Sequence, residues 1–358
     1  MKSNTFMLYG ANGYTGRLIA RFASQYDLTP ILAGRSAEPL QVLAKELNLP
    51  FKIISLDDEA NLIEALKEVK LVLHAAGPFE FTAKQMADAC IKAGTHYLDI
   101  NGDISVFEML KTYNESAIAA GIMIMPGVGF DVVPTDCIAL KLKNKLPEAI
   151  KLELAFATLG GSLSHGTAMT MASKLGEGGA IRREGKIVKT SLGAKAMTVN
   201  FFNGKEEREK PLFVMSIPWG DVSTAYFTTG IPTIETFVGV SKKAYYLLKA
   251  QVLFNWLLRT NFIRNKLRNK IATLPSGPSD GQRAKAKGMV WGRATDKSGK
   301  TVSAMLSGPE GYTITMHAAL IIIKKVLNNN FKPGYQTPAK VYGENLIAEV
   351  PGVEIKNE

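Results

Sequence analysis

The sequence predicts an α/β protein: a Rossmann-type doubly wound parallel sheet with a second, inserted α+β domain. Three observations predict it. A glycine-rich loop, Gly10-Ala11-Asn12-Gly13-Tyr14-Thr15-Gly16, stands between a short apolar run and a helical stretch. Short β-type runs then alternate with helical stretches up to about residue 125, the pattern of βαβ units around a parallel sheet. Beyond about residue 130 the alternation stops, and strand-like runs are separated by Gly-rich segments. A chain of 358 residues suits two domains.

Taken in order, strands are expected at 5–9, 29–33, 51–55, 71–74, 97–100 and 122–125. Helices are expected at 14–25, 39–47, 59–68, 83–93 and 106–120. The runs LVLHAA and IMIMPG are almost wholly apolar, as strands covered on both faces must be. In the second half, strands are expected at 151–159, 198–202, 223–226 and 233–238. A long helical stretch follows at 242–271, then a polar loop at 276–287. Strands at 287–294 and 300–306 flank a turn at 296–299, and an apolar helix covers 311–327. The expected domains are 1–132, a dinucleotide-binding unit; 133–309, a substrate domain; and 310–358, a helix and tail returning to the first unit.

The opening loop has the spacing G-x-x-G-x-x-G between a strand and a helix. Gly10 permits a tight turn, Gly13 a close approach of backbone to pyrophosphate, and Gly16 close packing of helix on strand. The helix N-terminus at Tyr14 and Thr15 offers amides and a positive dipole end to a phosphate, with Asn12 beside it. An NAD site carries an acidic residue at the end of the second strand. Here the chain reads Ala33-Gly34-Arg35-Ser36. Arg35 can pair with a 2′-phosphate and Ser36 can add a hydroxyl, which turns the expectation to NADP(H). The other reading of Arg35 is a solvated surface arginine. Asp57 follows the third strand, within reach of an adenine or as part of a helix cap. Ala76, Gly77, Pro78 and Phe79 end the fourth strand, where small residues let backbone approach a ribose and nicotinamide or simply make a turn.

The ordered set YGANGYTGRLIA, LAGRS, HAAGPF, GTHYLDINGD and GVGFDVVPTD resembles the saccharopine dehydrogenase-like NADP-binding family. That group includes saccharopine dehydrogenase-like oxidoreductases and trans-acting enoyl reductases. The likeness is strongest over residues 5–140 and continues through Ser164-His165-Gly166-Thr167-Ala168 and Gly334-Tyr335-Gln336-Thr337-Pro338-Ala339. It implies a Rossmann domain completed by a C-terminal helix, an inserted substrate domain and, for the enzymes, hydride transfer with NADP(H). It does not extend to the amino-acid recognition residues of saccharopine-forming enzymes, so lysine metabolism is not implied.

Candidates for proton transfer are few. His165, Asn101 and Asp131 are the three; the other reading makes them caps and turns. His74, His96 and His317 read as packing residues, and neither a nucleophile triad nor a metal cluster is legible. The two cysteines, Cys90 and Cys137, suggest neither a disulfide nor zinc, and the expected compartment is the cytoplasm. Lysine plus arginine number 43 against 32 acidic residues, a net +11, which favours anionic partners. Between Glu235 and Asp280 no acidic residue occurs, yet Lys242, Lys243, Lys249, Arg259, Arg264, Lys266, Arg268 and Lys270 do. Tyr245, Leu248, Val252 and Trp256 recur there at helical spacing, with Leu253, Phe254 and Leu257 widening the apolar surface. Three readings stand: peripheral contact of 242–271 with an anionic membrane, reception of acyl-CoA or an acyl-carrier protein by the positive charge, or a helix on its own domain with a solvated basic edge.

The function expected is an NADP(H)-dependent oxidoreductase reducing a C=C or C=O bond of an acyl or lipid-like substrate. The alternative is a non-catalytic NADP(H)-binding sensor or membrane-associated partner. A homodimer is expected, and no nucleic acid.

Overall fold

A computed structural model describes residues 3–174, 176–204, 209–250, 254–258, 260–273 and 275–357. The chain divides into two compact units. One runs to Val133 and adds Tyr312–Val341; the other is Pro134–Gly311 together with the residues from Tyr342 onward.

The first unit holds β1 (Ser3–Tyr9), β2 (Ile31–Gly34), β3 (Phe51–Ile53), β4 (Val69–His74), β5 (His96–Asp99) and β6 (Met123–Met125). They form a parallel sheet in the order β3-β2-β1-β4-β5-β6, extended past β6 by the short strand Gly334–Tyr335. This is the dinucleotide-binding order. β1 lies between β2 and β4, with Leu8 opposite Leu32 on one side and Leu73 on the other. Phe6, Met7, Leu8, Leu32, Val72 and Leu73 are wholly buried, because helices cover both faces. That is why these strands read as continuous apolar runs. The chain reverses direction across the sheet between β1 and β4, and the crevice at the carboxyl ends of those strands is where such sheets receive ligands. The helix Gly311–Leu327 belongs to this unit and buries Ile314, Ala318, Ile322 and Val326.

The second unit is built on β7 (Lys151–Leu159), β8 (Gly179–Arg183), β9 (Lys186–Thr190), β10 (Ala196–Phe202), β11 (Glu209–Ser216), β12 (Thr233–Gly239), β13 (Lys287–Thr295) and β14 (Thr301–Pro309). The sheet order is β10-β11-β12-β7-β13-β14, then the strand Glu354–Asn357. Only β12 and β7 run parallel along this path; the other pairs are antiparallel. One face carries an apolar cluster of Val199, Phe201, Val214, Phe237, Met289, Trp291 and Met305. The helix Val133–Lys145 lies against the middle of β13, where a Cβ on Gly292 would come within 2.5 Å of Ile138. The register sets Glu153 on β7 beside Glu235 on β12 and Arg293 on β13. Lys195 bonds both carboxylates, at 2.6 and 2.8 Å, and Arg293 adds two bonds to Glu153.

The fold class is as expected; several elements are not. Residues 223–226 are not a strand but part of the helix Asp221–Thr229. Its β-branched residues mimic a strand, yet the Thr224 and Thr229 hydroxyls bond the carbonyls of Gly220 and Ala225, and Gly230 ends the helix at φ +71°. The polar segment 276–287 contains the helix Asp280–Lys285, started by a capping box between Ser279 and Gln282. The stretch 106–120 is two helices, Ile104–Lys111 and Asn114–Ala119. Within 242–271 the described residues form the helices Lys242–Ala250, Asn255–Leu258 and Asn261–Ala272; Val252, Leu253 and Arg259 lie outside the described residues. The tail from Tyr342 onward departs from its expected course and joins the second unit, where Glu354–Asn357 pairs with β14.

Candidate active site at the carboxyl edge of the parallel sheet

The glycine loop leaves β1 over the end of β2. The amides of Gly10 and Ala11 both donate to the Ala33 carbonyl, at 2.8 and 3.3 Å. Gly10 takes φ +86°, and a Cβ there would fall 2.7 Å from the Ala76 amide nitrogen. The loop is therefore pressed onto the residues that follow β4. Gly16 is as crowded, since a Cβ would meet the Gly10 carbonyl and lie 2.8 Å from the Ala11 Cα. Gly13 is different. It is the N-cap of the helix Tyr14–Phe22 at φ −71°, open to any residue, and a Cβ would meet only the Gly10 carbonyl at 3.3 Å. Glycine at 13 thus has a weak internal reason, and a ligand approaching the backbone supplies a stronger one. That helix has no side-chain cap and no acidic residue in its first turn, where Tyr14 and Thr15 stand, so its N-terminus suits an anion. Asn12 holds the loop from within: its carbonyl accepts from Arg17 at 3.1 Å, and its side-chain oxygen lies over Gly34.

Arg35 and Ser36 follow β2 and are exposed. Ser36 is the N-cap of the helix Ala37–Leu47, yet its hydroxyl makes no capping bond. Among the described residues, none of the ion pairs involves Arg35. Two hydrogen-bond donors thus stand together at a helix N-terminus, a fitting place for a phosphate. The phenol of Tyr9, at the end of β1, donates to the Ile54 carbonyl at 3.0 Å. Burial raises its pKa; the nearby charge of Arg35 works against that and Asp57 adds to it. Arg35 and Asp57 are therefore both neighbours of Tyr9. Asp57 is exposed and bonded to Ser55; the cap of the following helix is Asp58, which accepts from the Asn61 amide.

After β4, Ala76, Gly77 and Pro78 lead into the helix that begins at Phe79. Thr82 donates to the Ala76 carbonyl at 2.9 Å and is joined by the ring of His74 at the same distance. Since the hydroxyl proton is used on Ala76, the His74 Nε2 is the donor in the second bond. His74 is fully buried, and burial drives its pKa down to about 3. It packs edge-on to Phe79 and is a neutral strut beneath the turn.

The ends of β5 and β6 meet on one carboxylate. Asp99, wholly buried, accepts from the Tyr97 hydroxyl at 2.6 Å, the Asn101 amide at 3.0 Å, the Asn101 side chain at 2.8 and 2.9 Å, and the Gly127 amide at 2.8 Å. Burial raises its pKa, against the lowering effect of those bonds. The Asn101 oxygen accepts from the Asp103 amide at 2.7 Å, so the Asn101 side chain is committed to holding its loop. Asp131 stands beside that loop. A Cβ on Gly102 would lie 2.5 Å from one of its carboxylate oxygens, so the absent side chain makes its place. Burial pushes the Asp131 carboxyl up to about 7. The helix Gly311–Leu327 closes this edge: Thr315 accepts from the Phe130 amide at 2.9 Å, and Tyr312 meets Tyr14 edge-on at 5.0 Å between ring centres.

The structure thus brings together, in the first unit, all the cofactor candidates with Asn101 and Asp131. It places His165 in the second unit, at the start of the helix His165–Ser173. There its amide donates to Ser276 at 2.9 Å and its ring bonds the Ile271 carbonyl. The sequence shows Asp99 as a strand-end carboxylate facing the crevice, for substrate or for a turn; its part as a buried hub that accepts from Tyr97, Asn101 and Gly127 was not legible there.

Residues 6–125 match the family model of the saccharopine dehydrogenase NADP binding domain. A mouse saccharopine dehydrogenase-like oxidoreductase is 28% identical over 202 residues, 49% of this chain and 47% of that protein. A lipid droplet localized protein of Caenorhabditis elegans is 24% identical over 405 residues, 95% of this chain and 94% of that one. A trans-acting enoyl reductase of Mycobacterium ulcerans is 29% identical over 161 residues, 43% of this chain and 38% of that one. The match thus spans about half the length of the mouse relative. Among solved structures, saccharopine dehydrogenase (L-Glu forming) from Saccharomyces cerevisiae shares the fold, with TM-score 0.66, 13% identity and 99% of each chain covered. Glycine loop, strand order and matched domain agree: residues 6–125 match the saccharopine dehydrogenase NADP binding domain, and about half of the chain is similar to saccharopine dehydrogenase-like oxidoreductases.

Proposed function

We propose that the protein is an NADP(H)-dependent oxidoreductase that reduces a C=C or C=O bond of an acyl or lipid-like substrate. One observation carries the reading: the carboxyl edge of the parallel sheet holds both an uncommitted Arg35–Ser36 pair beside the glycine loop and the carboxyl group of Asp131, seated in the space left by Gly102 with its pKa raised by desolvation to about 7. The chemistry a bound nicotinamide supplies is hydride transfer. The chain's own residues do the rest. The backbone at Gly13 and the first turn at Tyr14 and Thr15 hold the pyrophosphate. Arg35 and Ser36 hold the 2′-phosphate, Asp57 reaches the adenosine side, and Ala76–Phe79 form a small-residue wall on the ribose side. Asp99 fixes Asn101 and the Gly127 turn, which sets the loop against which Asp131 rests. Asp131 then delivers the proton that completes reduction, as a group whose pKa lies near the working pH does best. The enoyl reductase relative supports a C=C substrate, and the lipid droplet relative supports a lipid-like one.

The test is cofactor preference followed by turnover. Arg35→Asp should weaken NADPH binding by roughly 10–100-fold, the value of a charge-assisted phosphate contact, and leave NADH nearly unchanged. Equal loss of both nucleotides would remove the 2′-phosphate from this site. NADPH oxidation is then followed with enoyl-thioesters, ketones and aldehydes. Tight NADPH binding with turnover of none of them would favour a sensor over an enzyme.

A further inference from the structure

The helices Lys242–Ala250, Asn255–Leu258 and Asn261–Ala272 carry side chains that their own fold does not use. Tyr246 is 68% exposed, Leu247 73%, Trp256 72% and Phe262 75%, with Phe254 and Leu257 also exposed. Each longer helix already turns one apolar row inward. In Asn261–Ala272 that row is Ile263, Leu267 and Ile271, spaced four apart, with Ile271 buried. Phe262 lies off it, in line with the exposed Lys266 and Lys270. In Lys242–Ala250 the inward residue is Tyr245, set edge-on to Phe213 at 5.3 Å, while Tyr246 and Leu247 point away. A helix that merely covers its domain shows water a polar outer face; these show large apolar groups as well as lysines.

The charge they carry themselves has one sign, although Glu177 from a neighbouring segment pairs with Arg264 at 3.5 Å. Lys242, Lys243, Lys249, Lys266 and Lys270 are all exposed, and no acidic residue occurs from 236 to 279. Among the described residues no helix is long and apolar enough to cross a membrane. Aromatic and aliphatic groups flanked by lysines, on short helices that do not span, are the composition of a surface that enters one leaflet at headgroup depth.

We infer that the helices Lys242–Ala250, Asn255–Leu258 and Asn261–Ala272 dock the protein on an anionic phospholipid membrane, with Tyr246, Leu247, Trp256 and Phe262 entering the interface and the five lysines meeting the headgroups. The occupant is a phospholipid surface because a second copy of the chain would bring like charge onto like charge here.

The full chain, without nucleotide, is sedimented with phosphatidylcholine vesicles and with phosphatidylcholine–phosphatidylserine vesicles. Binding should require the anionic lipid and weaken as salt rises. Of the three tryptophans, Trp291 is 8% exposed and Trp219 partly buried, so emission should shift to the blue through Trp256. Brominated lipids should quench that emission, and Trp256→Phe should bind normally while losing the quenching. Trp256→Ser with Phe262→Ser should weaken binding more than about tenfold with an unchanged melting curve, because interfacial affinity follows the apolar area inserted. Equal binding to neutral vesicles, no binding at all, or unquenched Trp256 in bound protein would each overturn the inference. So would a stable dimer in solution that Trp256→Ser dissociates, which would assign the patch to a second copy. None of these readouts depends on NADPH, so their failure leaves the proposed reductase activity standing.

Discussion

Asp131 shows how much a single position can set. Burial lifts its carboxyl from an ordinary 3.8 to about 7. Between those values the folded protein holds one more proton than the unfolded chain, so stability falls as pH rises through the window. The stabilising proton is fully present below about pH 4 and lost as pH passes 7. Asp131→Asn, similar in shape and seated in the space left by Gly102, removes that penalty. It should be more stable than the parent at pH 8 by on the order of 2–4 kcal/mol, and equal to it at pH 4. Urea unfolding at the two pH values measures this. In the proposed reaction the same variant should lose most of kcat at every pH, while the parent loses it only above about 7. A variant less stable than the parent at pH 8 would mean that Asp131 is held as an anion by partners and does not act as the acid. Asp131 was legible as a strand-end carboxylate, but its protonation was not. That depends on the space left by Gly102 and on a loop whose Phe130 amide is held by Thr315, nearly two hundred residues downstream.

The strand–loop–helix unit at the start of the chain makes the same point one scale up, because its three glycines serve different ends. Gly16→Ala would drive a Cβ into the Gly10 carbonyl and to 2.8 Å from the Ala11 Cα. Overpacking of this kind costs about 1–3 kcal/mol, and thermal melting should fall accordingly. Gly13→Ala meets one carbonyl at 3.3 Å with an ordinary φ of −71°. Its stability should change by less than about 1 kcal/mol, the difference between Gly and Ala at an N-cap, while NADPH affinity falls at least about tenfold as the pyrophosphate loses its approach to the backbone. Titration and melting of the two variants together decide it; a Gly13→Ala protein that binds NADPH normally would take the pyrophosphate away from this loop. The unit was readable in sequence because its strands are apolar and its punctuation is glycine. The helix Val133–Lys145 was not, since residues 132–139 are all buried and an all-round buried helix shows no 3.6-residue stripe. The helix Asp221–Thr229 was misread for a related reason: its buried β-branched residues favour a strand locally, and tertiary packing overrides that preference.

Across the whole molecule, acid stability is divided between the two sheets. In the first unit the groups oppose one another. His74, held neutral with a pKa of about 3, destabilises as pH falls below its ordinary value, whereas Asp131 and Asp99 gain from the same change. The second unit has no such balance around Glu153. Its side chain is 2% exposed, so burial alone would raise its pKa, but hydrogen bonds from Lys195, Arg293 and Lys151 prevail and hold it at about 2. A carboxyl depressed in this way contributes stability that is complete above its unfolded value, 4.5, and lost as pH falls through about 2. The second sheet should therefore set the acid limit of the protein. Glu153→Gln leaves Lys195 facing Glu235 alone and Arg293 without the anionic oxygen that accepts both its bonds. Breaking a buried pair by removing one member costs about 3–5 kcal/mol; the lower figure applies here because the cations keep part of their hydration. The variant should unfold in urea about 3 kcal/mol more easily than the parent at pH 7, and the two should converge as pH approaches 2. A gap that persists undiminished to that pH would show that Glu153 stabilises the sheet by shape and neutral hydrogen bonding, with its charge contributing little.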